Sequence, residues 1–402
     1  MVSQIPFVKQ SMAGSNSCNK LVVGSHSALV LTSVIFILSS SCVTYCNGYN
    51  VLLSVVGVSG SQTVFFYRMG ELFADAGHTV TVLRHEIAPG MDKAPKTKKI
   101  AQELTNTIIP DAEEQKWAKS MIGEGKFDAE PSMSLEKLKS VKKLFDTLIG
   151  GTCERLLDNK VIMTKLKAAK FDVILMHMMD PCMLGVAHML NVKSTIQVST
   201  AFMVEFLAWP SGTPWPIATL PTSPSTGSVN MTFIERAKNT FMYITINEVY
   251  LKLVLPQSTA VFRDRYGEDF PSLADLSKQV QLYYVNADPL IDFPRPKMPN
   301  TIFVGGFMME DQKTKSLPRE WQAIANSTRA RQHGFIIFSL GSVLSTKNMP
   351  DSHKSVSCEL LITTASFINE VIRVMMVNKL CAVEDYVHWL KLGLISRYLA
   401  NF

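Results

Sequence analysis

The sequence predicts an α/β protein built on doubly wound parallel sheets, and its first recognisable unit carries most of that prediction. Tyr49 to Gly57 is a near-continuous apolar run ending in glycine, the pattern of a parallel strand covered on both faces. Phe65, Phe66, Met69, Leu72, Phe73 and Ala76 then recur at three- and four-residue spacing, which gives a helix one apolar face. Gly77 is placed to end that helix in a left-handed conformation, and Thr79 to Leu83 supplies the next strand. Ligands of such sheets bind beyond the carboxyl ends of the strands. The turn Gly57 to Thr63 is therefore the first place to look for a site, and it contains no histidine.

Later segments continue the alternation. Glu86 to about Gly125 turns polar and lysine-rich and reads as a loop or small excursion from the sheet. Leu135 to Ile149 has the pattern of an amphipathic helix with a lysine-bearing wet face. Phe171 to His177 is a buried strand, a turn and helix follow through Cys182, and Ser194 returns to strand. Pro210 to Ser228 is dense in Pro, Gly, Ser and Thr, which predicts a long loop without regular structure; loops of that length in compact domains are more often functional than idle. A long helix is expected from Phe233, a strand in VQLYYVNAD, and an extended crossing segment at Pro294, Pro296 and Pro299. After a short charged helix around Trp321, a strand from Gly334 runs into Ser339-Leu340-Gly341-Ser342, a small-residue turn whose N–H groups could approach a phosphate. The expected organisation is a signal segment at 1–48, a first domain at 49–300, a linker at 301–333 and the incomplete start of a second domain at 334–402.

Bulk properties bound the function. A chain of 402 residues, 47% hydrophobic and 18% charged, is long enough for two domains with sizeable cores and is not a disordered composition. The net charge of +6 is spread without a long Lys/Arg run, which argues against nucleic acid as a partner. Lys9 and Lys20 precede a charge-free stretch with an apolar core from Ala28 to Leu38, followed by small and polar residues. That order is a secretory signal, with cleavage expected near Cys46 to Gly48 and an uncleaved anchor as the alternative. Cleavage would leave Cys153, Cys182, Cys358 and Cys381, with no CxxC or zinc spacing; an oxidising compartment permits a disulfide among them without demanding one. The sequons at Asn230 and Asn326 suit the same compartment. From Ser355 to Phe402, Arg373, Lys379, Glu384 and Asp385 interrupt any apolar run of the ~20 residues that a membrane span needs.

Six segments carry a resemblance: ADAGHTVTVL, FDVIL with Cys182 following, ERAKNTFMY, VNADPLIDFPRP, NTIFVGG and FIIFSLGSVLSTKNMP. In this order and at these spacings the chain resembles the UDP-glycosyltransferases of the glucuronosyltransferase type, nematode-like members in particular, over roughly Tyr49 to Lys354. The resemblance implies two Rossmann-like domains of the GT-B type facing a cleft. The first would hold a small lipophilic acceptor and the second a UDP-sugar, the co-substrate, with neither a cofactor nor a metal required. It implies inverting transfer of glucuronic acid or another hexose to an acceptor hydroxyl, in detoxification, by a glycoprotein of the endoplasmic reticulum membrane. A histidine in the first turn takes the acceptor proton and a carboxylate at the end of a later strand orients it, which is general-base catalysis by an imidazole of fixed tautomer.

The chain departs from that pattern. Counting back from Ala76-Gly77-His78, the base falls on Gln62, whose amide holds a hydroxyl by hydrogen bonds but is no base near neutral pH. Counting from Phe171-Asp172, the orienting carboxylate falls on His177, and Asp180 is the nearest acid. His177 as a swapped base held by Asp180 is one expectation; Asp180 as a cap for the helix at Cys182 is another. Cys182 itself is expected as buried packing. By analogy with the family's diphosphate-facing turn, Ser339, Gly341 and Ser342 are the donor contacts. Beyond about Lys354 the resemblance stops, and the family's donor signature and membrane span are not found there. The expected function is thus a UDP-glycosyltransferase of weak or no independent activity; the alternative is a non-catalytic protein that binds lipophiles or pairs with full-length relatives.

Overall fold

The computed structural model describes residues 48–57, 60–86, 95–109, 111–112, 115–116, 146–222, 229–290, 292–309, 316, 319–326, 335–338 and 373–376. The chain divides into two units, one of residues 1–115 and 136–312, the other of residues 116–135 and 313–402. The expected signal at 1–48 lies almost wholly outside the described residues, as do most of the helix expected at 135–149 and the turn with Ser339, Gly341 and Ser342.

In the first unit the elements run β1 (Asn50–Gly57), α1 (Gly60–Asp75), β2 (Thr79–Glu86), β3 (Gln102–Thr107), a π turn (Asp146–Gly150), α2 (Gly151–Asp158), α3 (Lys160–Ala169), β4 (Val173–His177), α4 (Cys182–Met189), β5 (Ser194–Ser199) and α5 (Glu205–Ser211). They continue with α6 (Phe233–Val249), a second π turn (Tyr250–Val254), α7 (Leu255–Tyr266), α8 (Leu273–Ser277), β6 (Leu282–Val285), β7 (Thr301–Phe303) and a 3-10 turn (Phe307–Met309). The seven strands form one parallel sheet in the order β3-β2-β1-β4-β5-β6-β7. That is the doubly wound, Rossmann-like arrangement the first segment predicted.

Alternation along the strands splits the core in two. Val51, Leu53 and Val55 face Phe65, Phe66 and Met69 of α1, while Leu52, Ile174 and Met176 face the helices α2, α4 and α7 on the other side. Gly77 ends the first helical segment at φ +90°, a conformation open to glycine at no steric cost. Gly185 of α4 serves close approach: a Cβ there would lie 2.3 Å from Cζ of Phe262 in α7. Cys153 of α2 and Cys182 of α4 are bonded to each other, with Cα atoms 5.3 Å apart and a sequence separation of 29. Cys182 is thus more than packing; closing a loop of that length contributes about 3–4 kcal/mol by constraining the unfolded chain.

Four readings change. The polar stretch after Glu86 contains β3, an edge strand whose inward residues are Leu104 and Asn106 and whose outward ones are Glu103 and Thr105; half of it is wet, so no apolar run marked it. Pro210 and Ser211 belong to the last turn of α5, which stops at Gly212 with φ +72°. The long helix from Phe233 is interrupted by the π turn at Tyr250. Residues 301–303, expected to open a linker, form β7 and pair with β6.

One side chain fastens three backbone groups of the loop after Gly212. Asn239 of α6 donates from Nδ2 to the carbonyls of Ile217 (2.8 Å) and Leu220 (2.9 Å), and its Oδ1 accepts the Thr222 N–H (2.7 Å). In the second unit, α9 (Arg319–Ala325) is described together with β8 (Phe335–Phe338) and β9 (Arg373–Met376), which pair in parallel. Among the described residues no helix is long and apolar enough to cross a membrane.

Candidate functional site

Strand order reverses at β1, which pairs with β2 on one side and β4 on the other. The crevice at such a switch point, beyond the strand ends, is where doubly wound sheets bind ligands. Gly57 and His177 end the two strands there. Gln62 is the third residue of α1, half-buried, and its Oε1 is buried without a hydrogen-bond partner. One helical turn on, the Phe66 ring lies 5.7 Å from the His177 ring, so Gln62 and His177 belong to the same side of the sheet.

His177 is fully buried. Its Nδ1 accepts the backbone N–H of Met179 at 3.2 Å, and its Nε2 faces the Thr200 hydroxyl at 3.4 Å. An amide N–H only donates, so Nδ1 carries the lone pair and the proton of the neutral ring sits on Nε2. Burial, opposed in part by the Asp180 charge and reinforced by His85, pushes His177 down to about 4. Thr200 is itself fixed, because Asn286 Nδ2 donates to its carbonyl at 3.0 Å. The loop beyond is strapped by Arg295, which donates to the Met203 carbonyl (2.9 Å), pairs with Asp292 (2.7 Å) and stacks over Trp215.

Asp180 lies in the turn after β4 but reaches back across the sheet. Its Oδ2 accepts the Ser54 hydroxyl at 2.7 Å and faces His85 Nε2 at 3.2 Å; its Oδ1 has no partner. Helix α4 starts without a side-chain cap, at Pro181, because the carboxylate is engaged with β1 and β2 instead. Burial alone would raise the Asp180 carboxyl, but His85, the Ser54 hydroxyl and His177 together hold it below the usual carboxylate range. His177 therefore feels Asp180 as a charge, while the carboxylate's hydrogen bonds go to Ser54 and His85.

His85 and Ser54 were not among the residues the sequence singled out. Each is a polar residue at a fully buried position of its strand, which only the register of β1 and β2 reveals. Asn106 of β3 completes the group, its Nδ2 lying 3.1 Å from His85 Nδ1 and 3.4 Å from the Thr152 carbonyl. The carbonyl can only accept, so the amide donates to both, His85 Nδ1 is an acceptor and Nε2–H points at Asp180. Among the described residues no three His, Cys, Asp or Glu side chains converge as a metal site.

The family model described as UDP-glucoronosyl and UDP-glucosyl transferase matches residues 51–363, beginning in β1 and extending beyond Lys354. The chain belongs to this family. Among its relatives, the Caenorhabditis elegans protein named as the UDP-glucuronosyltransferase ugt-47 is 27% identical over 81% of this chain and 58% of its own length. Human UDP-glucuronosyltransferase 3A2 is 28% identical over 76% of this chain and 56% of its own. The chain thus spans a little over half the length of these relatives. Solved glycosyltransferases are also similar in part. The crystal structure of the kitacinnamycin glycotransferase is 14% identical, covers 82% of this chain and 65% of that one, and has a TM-score of 0.40. LpCGTa in complex with UDP is 10% identical, covers 82% of this chain and 70% of that one, and has a TM-score of 0.38.

Proposed function

We propose that this chain carries the acceptor side of a UDP-glycosyltransferase: a crevice for the hydroxyl of a small lipophilic molecule, to which a hexose such as glucuronic acid passes from a UDP-sugar with inversion. Gln62 and His177 occupy the positions of base and orienting carboxylate, Asp180 supplies the negative charge behind them, and Ser339, Gly341 and Ser342 are the donor contacts. The observation that carries the reading of weak activity is the state of His177. Its lone pair is engaged by Met179 N–H and its protonated form is disfavoured, while the Gln62 amide is no base. General-base catalysis contributes ~10²–10⁴-fold, and neither group supplies it in this arrangement. The same observation favours the second reading, a lipophile-binding protein that acts by sequestration or by pairing with longer relatives.

A secretory location, in the endoplasmic reticulum lumen, is supported by the Cys153–Cys182 bond and by the exposure of both sequon residues, Asn230 and Asn326. A membrane-associated detoxification role belongs to the family-level reading and comes with it. Equilibrium dialysis of the full chain against 1-naphthol, with and without UDP-glucuronic acid, tests the proposal. Saturable naphthol binding is the expected result, and absence of binding under both conditions would remove the acceptor reading.

A further inference from the structure

Helix α6 has its polarity reversed. Its buried residues are Asn239 and Asn247; the first holds the loop after Gly212 and the second donates to the Tyr243 carbonyl. Phe233, Ile234, Ala237, Phe241 and Ile244 are all exposed, Phe233 at 73% and Phe241 at 68%. At 3.6 residues per turn these five fall within an arc of about 100°, so they form one outward stripe. A surface helix ordinarily turns such a stripe to the core. Single exposed apolar residues need no explanation, but a contiguous patch marks an interaction surface. The helix is not free to roll and hide it. Tyr243 stacks on Trp215, Tyr250 at the helix end stacks on Phe206, and Asn239 is tied to three backbone groups.

The charges beside the stripe choose its occupant. Glu248 lies within the same arc, where it pairs with Lys252 one turn on, and exposed Lys238 stands at the border. A carboxylate inside the apolar stripe opposes insertion into lipid. A second copy of the same helix meets it differently. Laid antiparallel, with the two-fold axis between Phe241 and Thr245, each Lys238 comes level with Glu248 of the other copy. Each Phe241 then reaches Ile244 and Thr245 of the other, and the small Ala237 side chain permits close approach. A parallel pair would set Lys238 on Lys238 and Glu248 on Glu248. We propose that the outward face of α6 is where two copies of this chain pair, antiparallel about a two-fold axis. Phe241 and Ile244 form the centre, and Lys238–Glu248 pairs flank it. The proposal does not depend on whether the crevice turns over substrate, and it gives pairing a place on the fold. A seam of 17 residues, about 25 Å long, is smaller than a standard interface, so the association should be weak, with Kd on the order of 10 μM.

Sedimentation equilibrium of the full chain, from about 1 to about 200 μM so as to bracket that Kd, tests this. The wild type should pass from monomer to dimer across the range. Phe241→Gln should weaken pairing at least ~tenfold and leave Tm unchanged, because the side chain it removes stands in water. Lys238→Glu and Glu248→Lys should each weaken pairing about fivefold, by turning two attractive contacts repulsive, and the double variant should recover most of the loss. A wild-type dimer that Phe241→Gln does not weaken, or a double variant no better than the singles, overturns the proposed face and register. A wild type that stays monomeric throughout overturns pairing itself. If that monomer also floats with phosphatidylcholine–phosphatidylserine vesicles, and Phe241→Gln does not, the face belongs to a lipid surface and the proposal is overturned in favour of that occupant.

Discussion

The backbone N–H of Met179 donates to Nδ1 of His177 at 3.2 Å, so the histidine at the end of β4 is held by its own turn as a neutral, buried ring. A ring in that state is acid-sensitive. Its folded value of about 4 lies below the ordinary 6.5, so between these limits the unfolded chain binds the proton and the folded chain does not. Stability is full above about pH 6.5 and falls as pH drops toward 4, by up to ~3 kcal/mol. Asp180, held low, contributes stability above its ordinary 3.8 that is lost only at lower pH. Urea unfolding at pH 7.0, 5.5 and 4.5 should show this slope, and His177→Asn, which keeps an acceptor for Met179 N–H, should flatten it. Equal slopes in the two proteins would exclude His177 as the source.

The Cys153–Cys182 bond fixes the start of α4 two residues after Asp180, and Cys153 follows Thr152, whose carbonyl takes the Asn106 amide. Removing the bond should therefore cost stability and loosen the Asp180 turn together. Cys153→Ser with Cys182→Ser is expected to lose about 2–4 kcal/mol, read by denaturant unfolding. Amide exchange should rise at residues 178–184. Unchanged exchange there would separate the bond from the turn.

Much of the fold was legible because it was apolar. β1 and β4 announced themselves as buried runs, and the spacing of Phe65, Phe66 and Met69 fixed which face of α1 turns inward. β3 was not legible, since its outer face is wet and lies in a lysine-rich stretch. The positions of Gln62 and His177 followed from counting along the family's motifs. The group of Ser54, His85, Asn106 and Asp180 did not, because its members come from four separated segments and meet only through strand register. The disulfide was hidden for the same reason: its spacing is set by the path through α2, α3 and β4.

Asn239 satisfies three backbone groups of the loop after Gly212. Asn239→Ala should leave them without partners and cost about 1–3 kcal/mol. The local reading is sharper than the global one. Limited proteolysis should cut the variant within residues 213–222 well before the wild type; identical cleavage patterns would mean the loop is held by other contacts.

The most direct test of the central claim is a transfer assay on the full chain at pH 7.5 with 1-naphthol and UDP-glucuronic acid or UDP-glucose, products identified by mass. Naphthol is expected to bind and glycoside to form no faster than without protein, because neither Gln62 nor His177 takes the proton. Sustained turnover well above that background would contradict it.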